Sequence, residues 1–385
     1  MIKIKIPAVI LCAVLTLVLL SACSVAVPAA IAWQNKGLGN GWQPKSSMEL
    51  QYAQNFSVDY YAEGYKLISI VDGSRFLVVP ESAAVPEGID LDIVILKQPV
   101  DHIYLVATSA MCLFDALASL PSIAMSGTDA DGWYIENARK AMEDGDILYA
   151  GKYSKPDFEL ILANGCKLAI ESTMINHTPD VKEKLEELGI PVLVEQSSYE
   201  KHPLGRTEWI KLYAAMMNKE AEANQLFNEQ VSYMDSVASL ENTGKTVAFF
   251  YISSSGSAIV RKSGDYVTKM IELAGGKYIF DNLGDPEKAT STVSLEMEEF
   301  YATAKDADII IYNSTIDGGV SSLDELIAKN KLLADFKAVK NGNVWCTGQN
   351  LYQETTQLGL MISDIHEMLV DEKSLTELNF MFKLQ

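Results

Sequence analysis

The densest run of residues able to do binding chemistry is Tyr199-Glu200-Lys201-His202-Pro203-Leu204-Gly205-Arg206-Thr207-Glu208-Trp209. Arg206 can clamp a carboxylate or a phosphate through two parallel N–H bonds, and Tyr199 and Trp209 can supply flat apolar walls. The same residues also read as structure, with Arg206 and Glu208 pairing at a helix start and Trp209 in the core. A second cation, Arg261, follows the serine-rich stretch 253–257 and precedes Tyr266 at the head of the next helix. In two-lobed α/β proteins ligands bind at the carboxyl ends of parallel strands. That rule adds Ser109 after an expected strand at 103–107, Thr173 after 167–171 and Tyr199 after 190–194. The candidate ligand-binding set is therefore Arg206, Arg261, Tyr199, Trp209, Ser109, Thr173 and Tyr266.

Other chemistries find little support. The histidines number 4, at positions 102, 177, 202 and 366, with no two spaced as a local metal pair. Beyond Cys12 and Cys23, Cys112, Cys166 and Cys346 are odd in number and far apart, so buried free thiols are expected and neither a zinc site nor a disulfide framework. No G-x-S-x-G, Walker A or H-E-x-x-H pattern occurs, and no catalytic role, cofactor or resident metal is expected. An extracytoplasmic hydrolase is the competing reading. With a formal net charge of −20 the chain is a poor partner for nucleic acid.

The elements that position these residues alternate between apolar runs and helical stretches, giving an α/β pattern. A hairpin is expected from 56–60 and 65–70, strands at 76–79, 93–96 and 103–107, and helices at 109–120 and 135–143. Helix 156–164, strand 167–171, helix 179–188 and strand 190–194 form a βαβ crossover with parallel strands. From 206 to 240 the pattern is continuously helical, with no Gly or Pro. A second α/β unit follows, with a strand at 246–252, helices at 266–273 and 295–304, strands at 308–312 and 344–346, and a last helix at 355–370. At 385 residues the chain fits about two domains.

Lys3 and Lys5 precede an apolar run from 6 to 20, and Leu20-Ser21-Ala22-Cys23 follows. This is an export signal whose tetrapeptide resembles the lipobox of bacterial lipoproteins, in which the Cys is acylated and becomes the first mature residue. An uncleaved anchor is the alternative, and both readings place the rest of the chain outside the cell membrane. The expected organisation is a signal peptide at 1–22, lipid anchor and tether at 23–49, an N-terminal α/β lobe at 50–205, a helical connector at 206–240 with its interlobe helix near 219–238, and a C-terminal α/β lobe at 241–385.

Several ordered segments carry a family resemblance over roughly 100–370: Gly151-Lys152-Tyr153-Ser154-Lys155-Pro156-Asp157-Phe158-Glu159, Lys184-Leu185-Glu186-Glu187-Leu188-Gly189-Ile190-Pro191-Val192, the 219–238 helix, Leu273-Ala274-Gly275-Gly276, and Phe336-Lys337-Ala338-Val339-Lys340-Asn341-Gly342-Asn343-Val344-Trp345. The chain resembles the solute-binding proteins of ABC importers for iron-siderophores, haem and vitamin B12, in which one long helix joins two Rossmann-like lobes with parallel central sheets. It departs from them at 50–100, which is longer than in compact members. The resemblance implies a monomer that takes a metal chelate between its lobes, an iron-siderophore first and haem or cobalamin as alternatives, with Tyr199 or His202 as candidate axial ligands for haem. It also implies delivery to the permease, and through it to the ATPase subunits, with one exposed glutamate per lobe facing permease arginines. By position these are Glu159 and Glu298, with Glu296 the fallback.

Overall fold

The computed structural model describes residues 37–39, 41–286, 288, 291–370 and 376–385. The expected signal at 1–22, Cys23 and the tether up to residue 36 lie outside them. Among the described residues no helix is long and apolar enough to cross a membrane.

The first lobe is built on a five-stranded, wholly parallel sheet in the order Val192–Glu195, Leu168–Ser172, Ile103–Leu105, Ile123–Ser126, Leu148–Tyr149. The chain starts in the middle and winds outward both ways, so the order reverses beside Ile103–Leu105. Helices Phe158–Ala163 and Pro179–Glu187 supply the crossovers expected from the sequence. The second lobe holds a seven-stranded sheet. Its centre is parallel, with Thr246–Ile252 against Ile309–Tyr312 and the latter against Val344–Thr347. Antiparallel strands Ala258–Arg261, Thr292–Leu295 and Met381–Lys383 extend it on both sides. These edge strands were not anticipated, because short runs flanked by serine, lysine and aspartate give little periodic signal.

The connector is three helices where an uninterrupted helical pattern was expected: Pro203–Glu208, Ile210–Met217 and Glu220–Ala238. The first break is at Trp209, and the second falls at Asn218, which adopts a left-handed conformation with φ of 58°. Asparagine tolerates that region and ends helices much as glycine does. The long helix Glu220–Ala238 then packs on Leu358–Val370 of the second lobe. Gly359 permits the close approach, since a Cβ there would lie 2.0 Å from the Gln230 carbonyl oxygen.

Residues 46–97 form a separate five-stranded sheet, Ser46–Ser47, Phe56–Tyr60, Lys66–Ile70, Arg75–Val79 and Ile93–Lys97, of which only the last pair is parallel. The expected hairpin is its middle. Part of the expected tether is also folded: Leu38 is fully buried on the outer face, and Trp42 packs edge-on against Tyr65 at 5.6 Å. The carbonyl groups of this stretch are held as well: Arg75 Nη1 donates to the Gly37 oxygen at 2.8 Å and the Asp90 N–H to the Leu38 oxygen at 3.2 Å.

Candidate ligand-binding site between the lobes

Parallel strands aim their carboxyl ends at the space between the lobes, and the point where strand order reverses leaves a crevice. In the first lobe that point is flanked by helix Thr108–Ala116 and the short helix Thr173–His177. Ser109 and Thr173 sit at these starts, both half-buried. The Ser109 hydroxyl donates to Glu195 at 3.1 Å, and the Ser197 N–H donates to the same carboxylate at 3.0 Å. Burial pushes the Glu195 carboxyl up, and these bonds and the charge of Arg206 counter it.

Arg206 comes from the connector helix Pro203–Glu208, which packs on Tyr266–Leu273 of the second lobe. Its guanidinium lies 4.0 Å from the centroid of the Tyr266 ring, a cation–π stack. Arg206 is 8% exposed, and its Nε–H has no acceptor. Asp265 receives Arg261 Nη1 at 3.3 Å and caps helix Tyr266–Leu273 through the Val267 N–H at 2.9 Å. Arg261 also lies over Tyr352 at 5.1 Å. Burial raises the Asp265 carboxyl, and the charges of Arg261 and Arg206 work against that rise. Arg206, Tyr266, Asp265 and Arg261 thus form one cluster, joined across the seam to Glu195 and Ser109 by the field of Arg206.

Buried polar atoms concentrate along this seam without partners: Arg206 Nε, Ser197 Oγ, Tyr213 Oη and Ser263 Oγ. Both oxygens of Glu171, at the carboxyl end of strand Leu168–Ser172, are likewise unpaired, and burial lifts its carboxyl to about 8. Buried polar groups are nearly always satisfied, so such a cluster marks a place where further hydrogen-bonding partners belong.

Two sequence candidates stand elsewhere. Trp209 is fully buried; it packs edge-on to Phe56 at 5.1 Å and donates from Nε1 to Glu200 at 2.9 Å. It braces the N-terminal sheet and offers no wall to a ligand, because the connector turns its ring inward. His202 caps helix Pro203–Glu208 by accepting the Leu204 N–H on Nδ1 at 3.1 Å, and stacks on Tyr52 at 4.1 Å. Burial holds it down to about 4, so the ring is neutral and already engaged. Tyr199, by contrast, is exposed.

Tyr199 is one of several exposed large side chains of the first lobe. Tyr149, Met174 and Tyr199 lie at or just after the carboxyl end of a strand, and Tyr134 comes later, past the short helix Ala130–Gly132 that follows Ile123–Ser126. Ile316 holds the same place after Ile309–Tyr312 in the second lobe. The missed signal was the strand Ile123–Ser126, whose short run hid the loop that carries Tyr134.

Glu159 and Glu298 are both exposed and occupy the first turns of helices Phe158–Ala163 and Met297–Ala304. Each helix leads into a parallel strand of its lobe, so the two carboxylates hold equivalent places.

Two uncharacterized lipoproteins of Methanocaldococcus jannaschii are similar to this chain. One is 28% identical over 347 residues, covering 84% of this chain and 80% of its own length. The other is 28% identical over 335 residues, covering 80% of each. Among solved structures, the petrobactin-binding protein of Bacillus subtilis superposes with a TM-score of 0.58 at 14% identity, over 80% of this chain and 99% of that one. The periplasmic haem-binding protein of Vibrio cholerae gives 0.56 at 17% identity, over 68% and 98%. These structural likenesses are likenesses of fold: two α/β lobes joined by a long helix. The sequence profile of the periplasmic binding protein family matches residues 123–351, more than half of the chain, and the protein belongs to that family.

Proposed function

We propose that this protein is the extracytoplasmic solute-binding lipoprotein of an ABC importer, and that it takes an anionic metal chelate of the iron-siderophore type between its lobes. The observation that carries this reading is the pairing of Arg206, stacked on Tyr266 with an unspent N–H, with the unpartnered polar atoms around it. An anion with several acceptor oxygens would satisfy these groups, and the exposed side chains Tyr149, Met174 and Tyr199 after the first-lobe strands suit a ligand with apolar or aromatic faces. Arg206, Arg261, Tyr266, Ser109, Thr173 and Tyr199 are the proposed contacts. Glu159 and Glu298 are the proposed points of docking to the permease, and Cys23 the site of lipid attachment. The chain itself makes and breaks no bond; release is driven by the ATPase subunits.

The test is a tryptophan-fluorescence titration of the full chain in detergent with a ferric siderophore, hemin and cyanocobalamin. Saturable binding is expected for the ferric siderophore. Saturation by hemin or cyanocobalamin alone would reassign the ligand, and no saturation by any of the three would overturn the reading.

A further inference from the structure

We infer that Gln353, assisted by Gln349, is a latch between the lobes, whose making and breaking sets how far the cleft opens. Gln353 lies in the second lobe, in the short helix Leu351–Gln353, and is 7% exposed. Its side-chain amide reads the backbone of the first lobe twice: Oε1 accepts the Tyr134 N–H at 2.8 Å, and Nε2 donates to the Gly132 carbonyl oxygen at 2.7 Å. One residue thus engages the donor and acceptor that a neighbouring β-strand would have used. Nearer the surface, the Tyr134 hydroxyl donates to Gln349 Oε1.

Each half of this contact is organised without the other. In the first lobe, Asp129 caps the turn by accepting the Gly132 N–H at 3.0 Å, and Trp133 Nε1 is tied to Ser126 Oγ and the Thr128 carbonyl oxygen, both at 3.2 Å. Gly132 makes the turn possible, since a Cβ there would meet Thr128 Cγ2 at 2.6 Å. In the second lobe, the Gln353 N–H donates to the Asn350 carbonyl oxygen at 2.7 Å, and Gln349 Nε2 donates to the Gly318 carbonyl oxygen at 3.1 Å. Helix Thr108–Ala116 of the first lobe also packs on Leu351–Gln353 and Thr355–Gln357, so that contact serves as the pivot and the Gln353 and Gln349 hydrogen bonds beside it are the part that is made or broken. The Tyr134 side chain is also 46% exposed, so the outer part of the latch is open to solvent. The inference needs only the two-lobed architecture and stands whichever ligand the cleft takes.

Hydrogen–deuterium exchange of the ligand-free full chain in detergent tests it. In Gln353→Ala the amides of 132–134 should exchange at least about tenfold faster than in wild type, as expected when a local opening loses its restraint. Strand Ile123–Ser126 and helix Glu136–Glu143 should keep wild-type protection. Unchanged exchange at 132–134, or acceleration spread through both lobes, would overturn the latch. Should Gln353→Ala fail to fold, Gln349→Ala, which alters an exposed contact, decides by the same readout: a smaller local acceleration supports the latch, and none refutes it.

Discussion

The guanidinium of Arg206 lies over the ring of Tyr266, 4.0 Å from its centroid, although one residue belongs to the connector and the other to the second lobe. A stacked guanidinium is held by its face, which leaves the in-plane N–H groups of its edge for an acceptor. That geometry leaves Arg206, of the two proposed arginine contacts, the one with an N–H still to be answered. Arg261 is the contrast: it already has Asp265 at 3.3 Å.

Replacing Arg206 by alanine should therefore weaken ligand binding by about 2–5 kcal/mol, the usual cost of losing one side of a buried charged contact. Arg206→Lys should fail nearly as badly, because an ammonium neither stacks flat nor offers a fork. Fluorescence titration measures both. Wild-type affinity in the two variants, with thermal stability lowered instead, would assign Arg206 to the packing of the lobes.

A different carboxylate holds the N-terminal sheet. Glu208, fully buried, accepts the N–H groups of Gln51, Tyr52 and Ala53 at 2.8–2.9 Å and pairs with Lys211 at 2.7 Å. Removing it would leave three backbone donors unanswered and a buried ammonium with only the Glu49 carbonyl oxygen, at 3.2 Å, as acceptor. Glu208→Ala is expected to cost about 3–5 kcal/mol, as for a buried pair stripped of one member. Urea unfolding should show this loss, and limited proteolysis should cut first near 51–55. Equal stability of mutant and wild type would mean that water replaces the carboxylate.

What the sequence disclosed follows from this contrast. Strand Thr246–Ile252 and helix Tyr266–Leu273 fall where their periodicity puts them, because each pattern is long enough to carry a period. The alternative reading of Glu208 and Trp209 as structural residues is the one their burial supports, yet nothing local could show that their partners lie at Gln51 and Phe56. Such contacts span about 150 positions and are fixed by the tertiary fold. Ser109 and Thr173 were legible for the opposite reason: the rule of strand ends needs only the order of elements. The latch at Gln353 was invisible, since a glutamine in a loop has no pattern.

Glu171 gives a pH dependence whose sign is fixed. Its carboxyl is lifted from 4.5 to about 8, the cause being burial. Between those values the folded chain keeps a proton that the unfolded chain has released, so stability falls as pH rises through the window and levels off above it. Glu171→Gln should remove this component, leaving the variant more stable than wild type at pH 8–9 and nearly equal to it near pH 4.5, with a gain on the order of a few kcal/mol. Melting temperatures of both proteins across that range provide the check. Parallel curves would show that Glu171 stays ionised with a partner in solution.

The proposal that Glu159 and Glu298 dock rests on equivalent positions in the two lobes and on their exposure. A helix preceding a parallel strand starts at the level of the strand's carboxyl end, and both carboxylates are exposed in that first turn. In the free protein each sits comfortably near the positive end of a helix. On docking each would gain an arginine partner, a charge-assisted contact that exists only in the complex. The double change Glu159→Ala/Glu298→Ala should then leave ligand affinity and melting temperature at wild-type values while uptake by cells collapses. Arginine at both positions should be worse than alanine, since like charges would face each other across the interface. Uptake at the wild-type rate in the double-arginine variant would remove both residues from the docking surface, and Glu296, exposed one turn boundary earlier as the cap residue of the same helix, would be the next to change.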